Sequence, residues 1–246
     1  MRKKYKILTI ILLIFVLLFI ACVEFKGSQV DKVINEFVSR GELVKIENKI
    51  AYYKVTKKYD YENTENIIDS LDDVYIGTTG DIYVSAKDPA GFFVTKYMSK
   101  NLRMGHGGIV KSEDATITIE VTGNSGRKNN IVKEYENKWF EKSNIEITVL
   151  RVKNMNEERK SKLSEWLENH YGMPYNYNFF KHYKNKFYCF DLCSEAYKSL
   201  GYELDNGYNT TLGGTMIKNE DTYIIYYKKQ VRKENINYEV YYLSEE

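Results

Sequence analysis

The chain has 246 residues, enough for one domain with a sizeable core, and 36 Lys plus Arg against 34 Asp plus Glu leave a net charge of +2. Those charges are interspersed, so no nucleic-acid footprint emerges. Neither a Gly-x4-Gly-Lys-Ser/Thr loop nor a Gly-x-Ser-x-Gly elbow is present, which disfavours nucleotide and serine hydrolysis. The 23 tyrosines and 11 phenylalanines, beside only two prolines, describe a well-packed chain rich in aromatic strand residues.

At the start, Met1-Arg2-Lys3-Lys4-Tyr5-Lys6 is basic and Ile7–Val23 runs 17 residues without a charge. That length suits a signal peptide or a short membrane anchor over residues 1–26. The positive flank stays in the cytoplasm, so the remainder is expected on the extracytoplasmic face of a bacterial membrane, anchored or lipid-modified, or secreted. Phe19-Ile20-Ala21-Cys22 resembles a lipoprotein cleavage box with Phe19 where leucine is usual, making Cys22 a lipidation candidate. Residues 27–73 read as an extension of unassigned role: a helix over Ser28–Arg40, a hairpin over Glu42–Lys57 turning near Glu47-Asn48, and a helix over Thr64–Leu71. It could be a spacer, a cover over a site or an added edge to a sheet.

The core, residues 74–246, supplies strands around Asp81–Ser85, Gly107–Lys111, Thr116–Val121 and Ile145–Val152. Helices follow at Glu157–Asn169 and Cys189–Leu200, then strands near Thr222–Lys228 and Tyr238–Leu243. This order predicts an α+β domain, helices packed against an antiparallel sheet.

Chemistry concentrates where the aromatic run ending at Tyr188 turns into a helix. Cys189, Leu192, Cys193, Ala196, Tyr197 and Leu200 fall on one helical stripe, with Cys189 in the first turn. Unpaired N–H groups and the positive end of the helix dipole favour a thiolate there; the competing reading is a small packed core residue. Cys193, one turn deeper, loses most of that help, and a disulfide within one helical turn fits bridge geometry poorly. The Cys-x3-Cys pair lacks a second ligand pair at zinc spacing, so no metal or other cofactor is expected.

A nucleophilic cysteine needs a base, and the chain has only His106, His170 and His182. His170 lies on the apolar stripe of its helix and reads as packed or capping. His182, in a mixed aromatic and basic loop before Cys189, is a minor candidate. His106 is favoured: Met104-Gly105-His106-Gly107-Gly108 surrounds one imidazole with glycines and then enters a strand, which allows close approach and a rigid mounting. Glu120 is the candidate to orient it. An odd-length hairpin loop centred on Glu113 would set Glu120 opposite His106, whereas even loops would put Val121 or Ile119 there.

Together these residues resemble a known family. Gly80-Asp81-Ile82, Gly105-His106-Gly107-Gly108, Ile119-Glu120, Val149-Leu150-Arg151, Tyr171-Gly172-Met173-Pro174-Tyr175-Asn176 and Tyr188-Cys189 through Gly201 look like successive motifs of the YiiX-like, circularly permuted papain-like hydrolases of the NlpC superfamily. The resemblance covers about residues 75–220. It implies a permuted papain-like fold in which Cys189 is the nucleophile, His106 the base and Glu120 the third polar residue, with Tyr188, Asp191 and Tyr175 supporting the substrate or oxyanion. Where the family usually reads Tyr-Cys-Ser-Glu-Leu, this chain has Tyr188-Cys189-Phe190-Asp191-Leu192, so Asp191 keeps a carboxylate at the glutamate position. The activity implied is amide or ester cleavage, with peptidoglycan peptides as candidate substrates. A non-catalytic binding module of the same fold and a lipid acyltransferase are the alternatives.

Overall fold

The computed structural model describes residues 2–67, 75–87, 92–123, 130–140, 146–179, 185–207 and 210–245. The chain begins with one 38-residue helix, α1 (Arg2–Ser39). It contains both the apolar start and the expected Ser28–Arg40 helix, so the 26/27 boundary falls inside it. No proline interrupts the run, and its apolar and amphipathic halves continue one backbone. From Tyr5 to Ile20 the helix is exposed all round, and it is long and apolar enough to cross a membrane. Beyond that the pattern becomes a stripe: Val23, Val30, Ile34 and Phe37 are buried against the body of the molecule.

A hairpin follows, β1 (Gly41–Glu47) and β2 (Ile50–Thr56), turning at Asn48 and Lys49, both with positive φ. Then come β3 (Ile82–Ser85), α2 (Phe93–Leu102), β4 (His106–Val110), β5 (Ile117–Glu120), β6 (Lys133–Glu136) and β7 (Glu146–Val152). The chain closes with α3 (Glu157–Glu168), α4 (Cys189–Lys198), α5 (Gly213–Ile217), β8 (Thr222–Lys233) and β9 (Ile236–Ser244). Sequence periodicity did not reveal α2, α5 or the exposed β6. Of the expected helix Thr64–Leu71, residues 65–67 are turn and bend, with Asn66 at φ 52; residues 68–71 lie outside the described residues.

Among the described residues the strands form one nine-stranded sheet in the order β1-β2-β9-β8-β7-β3-β4-β5-β6. Its middle is apolar on both faces: all of β3 and six of seven residues of β7 are buried. The sheet is mixed rather than antiparallel, because β2 runs parallel to β9 while its other pairings are antiparallel. Alternation within β2 identifies a strand but carries no information on a partner nearly 200 residues away. Of the roles open to residues 27–73, the hairpin takes that of an added sheet edge.

A buried ion pair ties this extension to the core. Arg151 on β7 grips both oxygens of Asp81 at 2.9 and 2.7 Å and donates to the carbonyls of Asn63 and Glu65 at 2.8 Å. Although burial works against its charge, the Asp81 carboxylate holds the guanidinium protonation above its ordinary range. At the other end, Arg103 after α2 joins Asp31 of α1 at 2.9 Å to Glu146 of β7 at 2.8 Å.

Candidate active site

Helix α4 starts abruptly because Tyr188, its N-cap, is extended (φ −96, ψ 169). The first helical bond of the ladder runs from Leu192 N–H to the Tyr188 carbonyl, so the N–H groups of Cys189, Phe190 and Asp191 precede it. Cys189 is 7% exposed and Cys193 is wholly buried. Both are free thiols, and burial pushes the Cys193 thiol well above its ordinary range, leaving it a core residue.

Strand β4 crosses in front of that helix start, and its glycines are what allow the approach. A Cβ on Gly107 would lie 2.6 Å from the Phe190 ring, so the aromatic residue beside Cys189 occupies the space a side chain on β4 would need. The same ring ends against Gly213 of α5, where a Cβ would come within 3.0 Å. Phe190, standing where the family pattern has serine, is thus housed by two glycines.

His106 opens β4 with 31% of its side chain exposed and the Cys189 thiol beside its ring. Its Nε2 donates to Glu120 Oε2 at 2.6 Å, which leaves Nδ1 as the ring's acceptor nitrogen. The expected hairpin register is not the observed one. Ile109 pairs with Ile119 and Val110 with Thr118, which sets Glu120 opposite Gly108. The loop is odd in length, as expected, but centred on Asp114, whose carboxylate accepts from the Thr116 N–H and hydroxyl. A shift by two positions keeps Glu120 on the same face of the sheet, and it reaches His106 diagonally over Gly108.

Two residues that sequence reasoning missed complete this arrangement. Trp139 Nε1 donates to Glu120 Oε1 at 2.7 Å, and its indole stacks on the His106 ring, centroids 5.3 Å apart at 9°. Thr118 Oγ1 donates to the same oxygen at 2.6 Å. Thr118 was legible as a same-face neighbour two positions before Glu120; nothing in the spacing of Trp139 announced it. Burial alone would raise the Glu120 carboxyl, but His106, Thr118 and Trp139 hold it below the ordinary 4.5. Burial likewise opposes the charged imidazole, yet the hydrogen bonds with Cys189 and Glu120 raise His106 to about 10.

Tyr175 lies near enough to Cys189 to feel its charge. Burial first, and then the negative charge of a Cys189 thiolate, push its phenol well above the ordinary range, so it stays a donor. A Cβ on Gly123 would meet its ring at 2.6 Å. The exposed rings of Tyr177 and Phe179 extend this wall, and Phe179 packs on Tyr188 at 5.7 Å. Tyr188 itself is buried, its hydroxyl accepting from the Thr211 N–H at 2.6 Å. Asp191 is buried in the first turn of α4. His170 stacks on Trp166 and bonds the Trp166 carbonyl, as a packed histidine should. His182 lies outside the described residues. Cys22 is exposed on the apolar part of α1.

A cysteine at a helix start facing a strand-mounted histidine and its carboxylate, with the histidine earlier in the chain, is the arrangement of a permuted papain-like enzyme. Residues 78–237, about two thirds of the chain, match the permuted papain-like amidase enzymes of the YaeF/YiiX, C92 family. The chain belongs to that family. Among solved structures it is similar to one described as the metalloprotein yiiX of Escherichia coli O157:H7, at 16% identity and a TM-score of 0.45, over 64% of this chain and 98% of that one. No curated protein matches. Among the described residues no cluster of three His, Cys, Asp or Glu side chains is disposed to hold a metal ion.

Proposed function

We propose that this protein is a membrane-tethered cysteine amidase or peptidase, working outside the cytoplasm on peptide amides such as those of peptidoglycan, through Cys189, His106 and Glu120. The observation that carries this reading is the chain of contacts from the Glu120 carboxylate through the His106 ring to the Cys189 thiol at the start of α4.

In the reaction, His106 Nδ1 takes the proton from Cys189 Sγ, and the sulfur attacks the substrate carbonyl carbon. The charge that develops on the carbonyl oxygen is met by the Cys189 N–H, with the Tyr175 phenol as a second donor. When the C–N bond breaks, His106 returns its proton to the leaving nitrogen. Water then adds to the thioester carbonyl, losing a proton to His106, and the restored thiol departs. Glu120 fixes the ring and stabilises the imidazolium, and Thr118 and Trp139 hold Glu120 in turn. Asp191 places a negative charge at the positive end of α4, while Tyr188 anchors the loop at Thr211. The Tyr175, Tyr177 and Phe179 wall offers stacking surface to peptide or sugar groups.

The test compares full-length wild type with Cys189→Ala on purified peptidoglycan fragments and on lipid esters in detergent micelles, with products identified by mass. Peptide release by the wild type alone supports the proposal. Acyl transfer to a lipid acceptor would favour the acyltransferase reading, and tight fragment binding without turnover the binding module.

A further inference from the structure

Helix α2 lies beside the outer part of α1, and three contacts fix its direction. Tyr97 donates to Glu24, Asn101 abuts Gly27, and Arg103 pairs with Asp31 at 2.9 Å. The two sets of numbers rise together, so the helices run parallel. Phe93 precedes Tyr97 by four residues, about 6 Å along the axis, which brings it level with Ile20, four residues before Glu24.

That level is the outer end of the uncharged stretch. There α2 presents Phe92, Phe93 and Val94, which are 72%, 84% and 55% exposed. Phe25 on α1, 65% exposed, lies five residues beyond Ile20, at the level of the lysines. Three large apolar side chains at one helix start have no place in water unless something covers them. Exposed Lys26, Lys96 and Lys100 lie just above, beside Glu24. Apolar rings below and lysines above match the order of a bilayer surface, acyl chains then anionic headgroups.

We infer that Phe92, Phe93 and Val94 form a second foot that seats in the same bilayer as α1 and fixes the domain's orientation on an anionic membrane. This rests on the reading of Ile7–Val23 as a membrane segment. The consequence concerns substrate. Ten residues of α2 span about 15 Å, and the chain passes from its end through Arg103, Met104 and Gly105 directly to His106. With the foot seated, the site is held at a set height above the lipid and serves amides presented near the membrane surface.

Tryptophan scanning in brominated lipid tests this. Full-length Phe93→Trp and Phe19→Trp are reconstituted in phosphatidylcholine–phosphatidylglycerol vesicles, with wild type supplying the background of Trp139 and Trp166. Phe93 is almost fully exposed, so its replacement leaves the fold intact. The added emission of both variants should fall by half or more when the lipid carries bromine in the upper acyl chain. Quenching of Phe19→Trp without Phe93→Trp overturns the foot and leaves the anchor standing. Quenching of neither overturns the anchor, and the foot with it.

Discussion

Glu120 sits opposite Gly108, not opposite His106, and it reaches the imidazole by leaning across the place where residue 108 has no side chain. A Cβ at that position would stand 2.9 Å from Glu120 Cγ and 3.3 Å from the Trp139 ring. Gly108→Ala should therefore displace Glu120 and lower kcat while the protein remains folded. Overpacking of this kind costs about 1–3 kcal/mol of stability, which thermal unfolding measured beside turnover will separate from the loss of activity.

Gly107 and Phe190 form a coupled pair. Gly107→Ala puts a methyl 2.6 Å from the ring and should destabilise the helix–strand contact that carries Cys189. Phe190→Ser, which restores the residue usual in the family, should relieve it. A double-mutant cycle is expected to show an interaction of about 1 kcal/mol or more, and strict additivity would contradict the packing described.

Trp139 contributes a hydrogen bond and a stacking face, and the two are separable. Trp139→Phe keeps an aromatic ring beside His106 but removes the donor to Glu120. Because hydrogen bonds to charged groups contribute roughly 1.5–3 kcal/mol, kcat should fall by about tenfold or more with KM little changed.

The His106–Glu120 pair also makes stability depend on pH. His106 is raised from 6.5 to about 10, so its contribution is complete below about pH 6.5 and is lost as pH rises toward 10. Glu120 is lowered from 4.5, so its contribution is complete above that value and is lost as pH falls below it. The stability gap between wild type and His106→Asn should be widest between about pH 4.5 and 6.5 and should close toward pH 10, as read by denaturant titration across that range.

Arg151 and Asp81 bind the extension to the catalytic core. Arg151→Met leaves a buried carboxylate unpaired and frees the carbonyls of Asn63 and Glu65. A loss of about 3–5 kcal/mol is expected, with proteolysis appearing first near residues 57–67.

Much of the site was legible because it is local. A cysteine at the first turn of an apolar stripe and a histidine among glycines are patterns within a few residues, and the parity of the β4–β5 loop put Glu120 on the correct face. One miss was local: the register shift of two followed from Asp114 closing the turn, a side-chain choice that alternation does not encode. Others were long-range. Trp139 reaches Glu120 from a segment without periodicity, and β2 finds β9 across most of the chain. The fusion of the apolar start with Ser28–Arg40 was missed for another reason: the change from an all-round apolar to a one-sided pattern looks like a boundary in sequence and is continuous in backbone.

The measurement to make first is the alkylation rate of Cys189 by iodoacetamide across pH, read on the Cys189 peptide in wild type, His106→Asn and Glu120→Gln. A cysteine served by this histidine should react near neutral pH at least tenfold faster in wild type than in His106→Asn, with Glu120→Gln in between. Equal rates in all three would contradict the proposed role of His106 and Glu120 in activating the thiol.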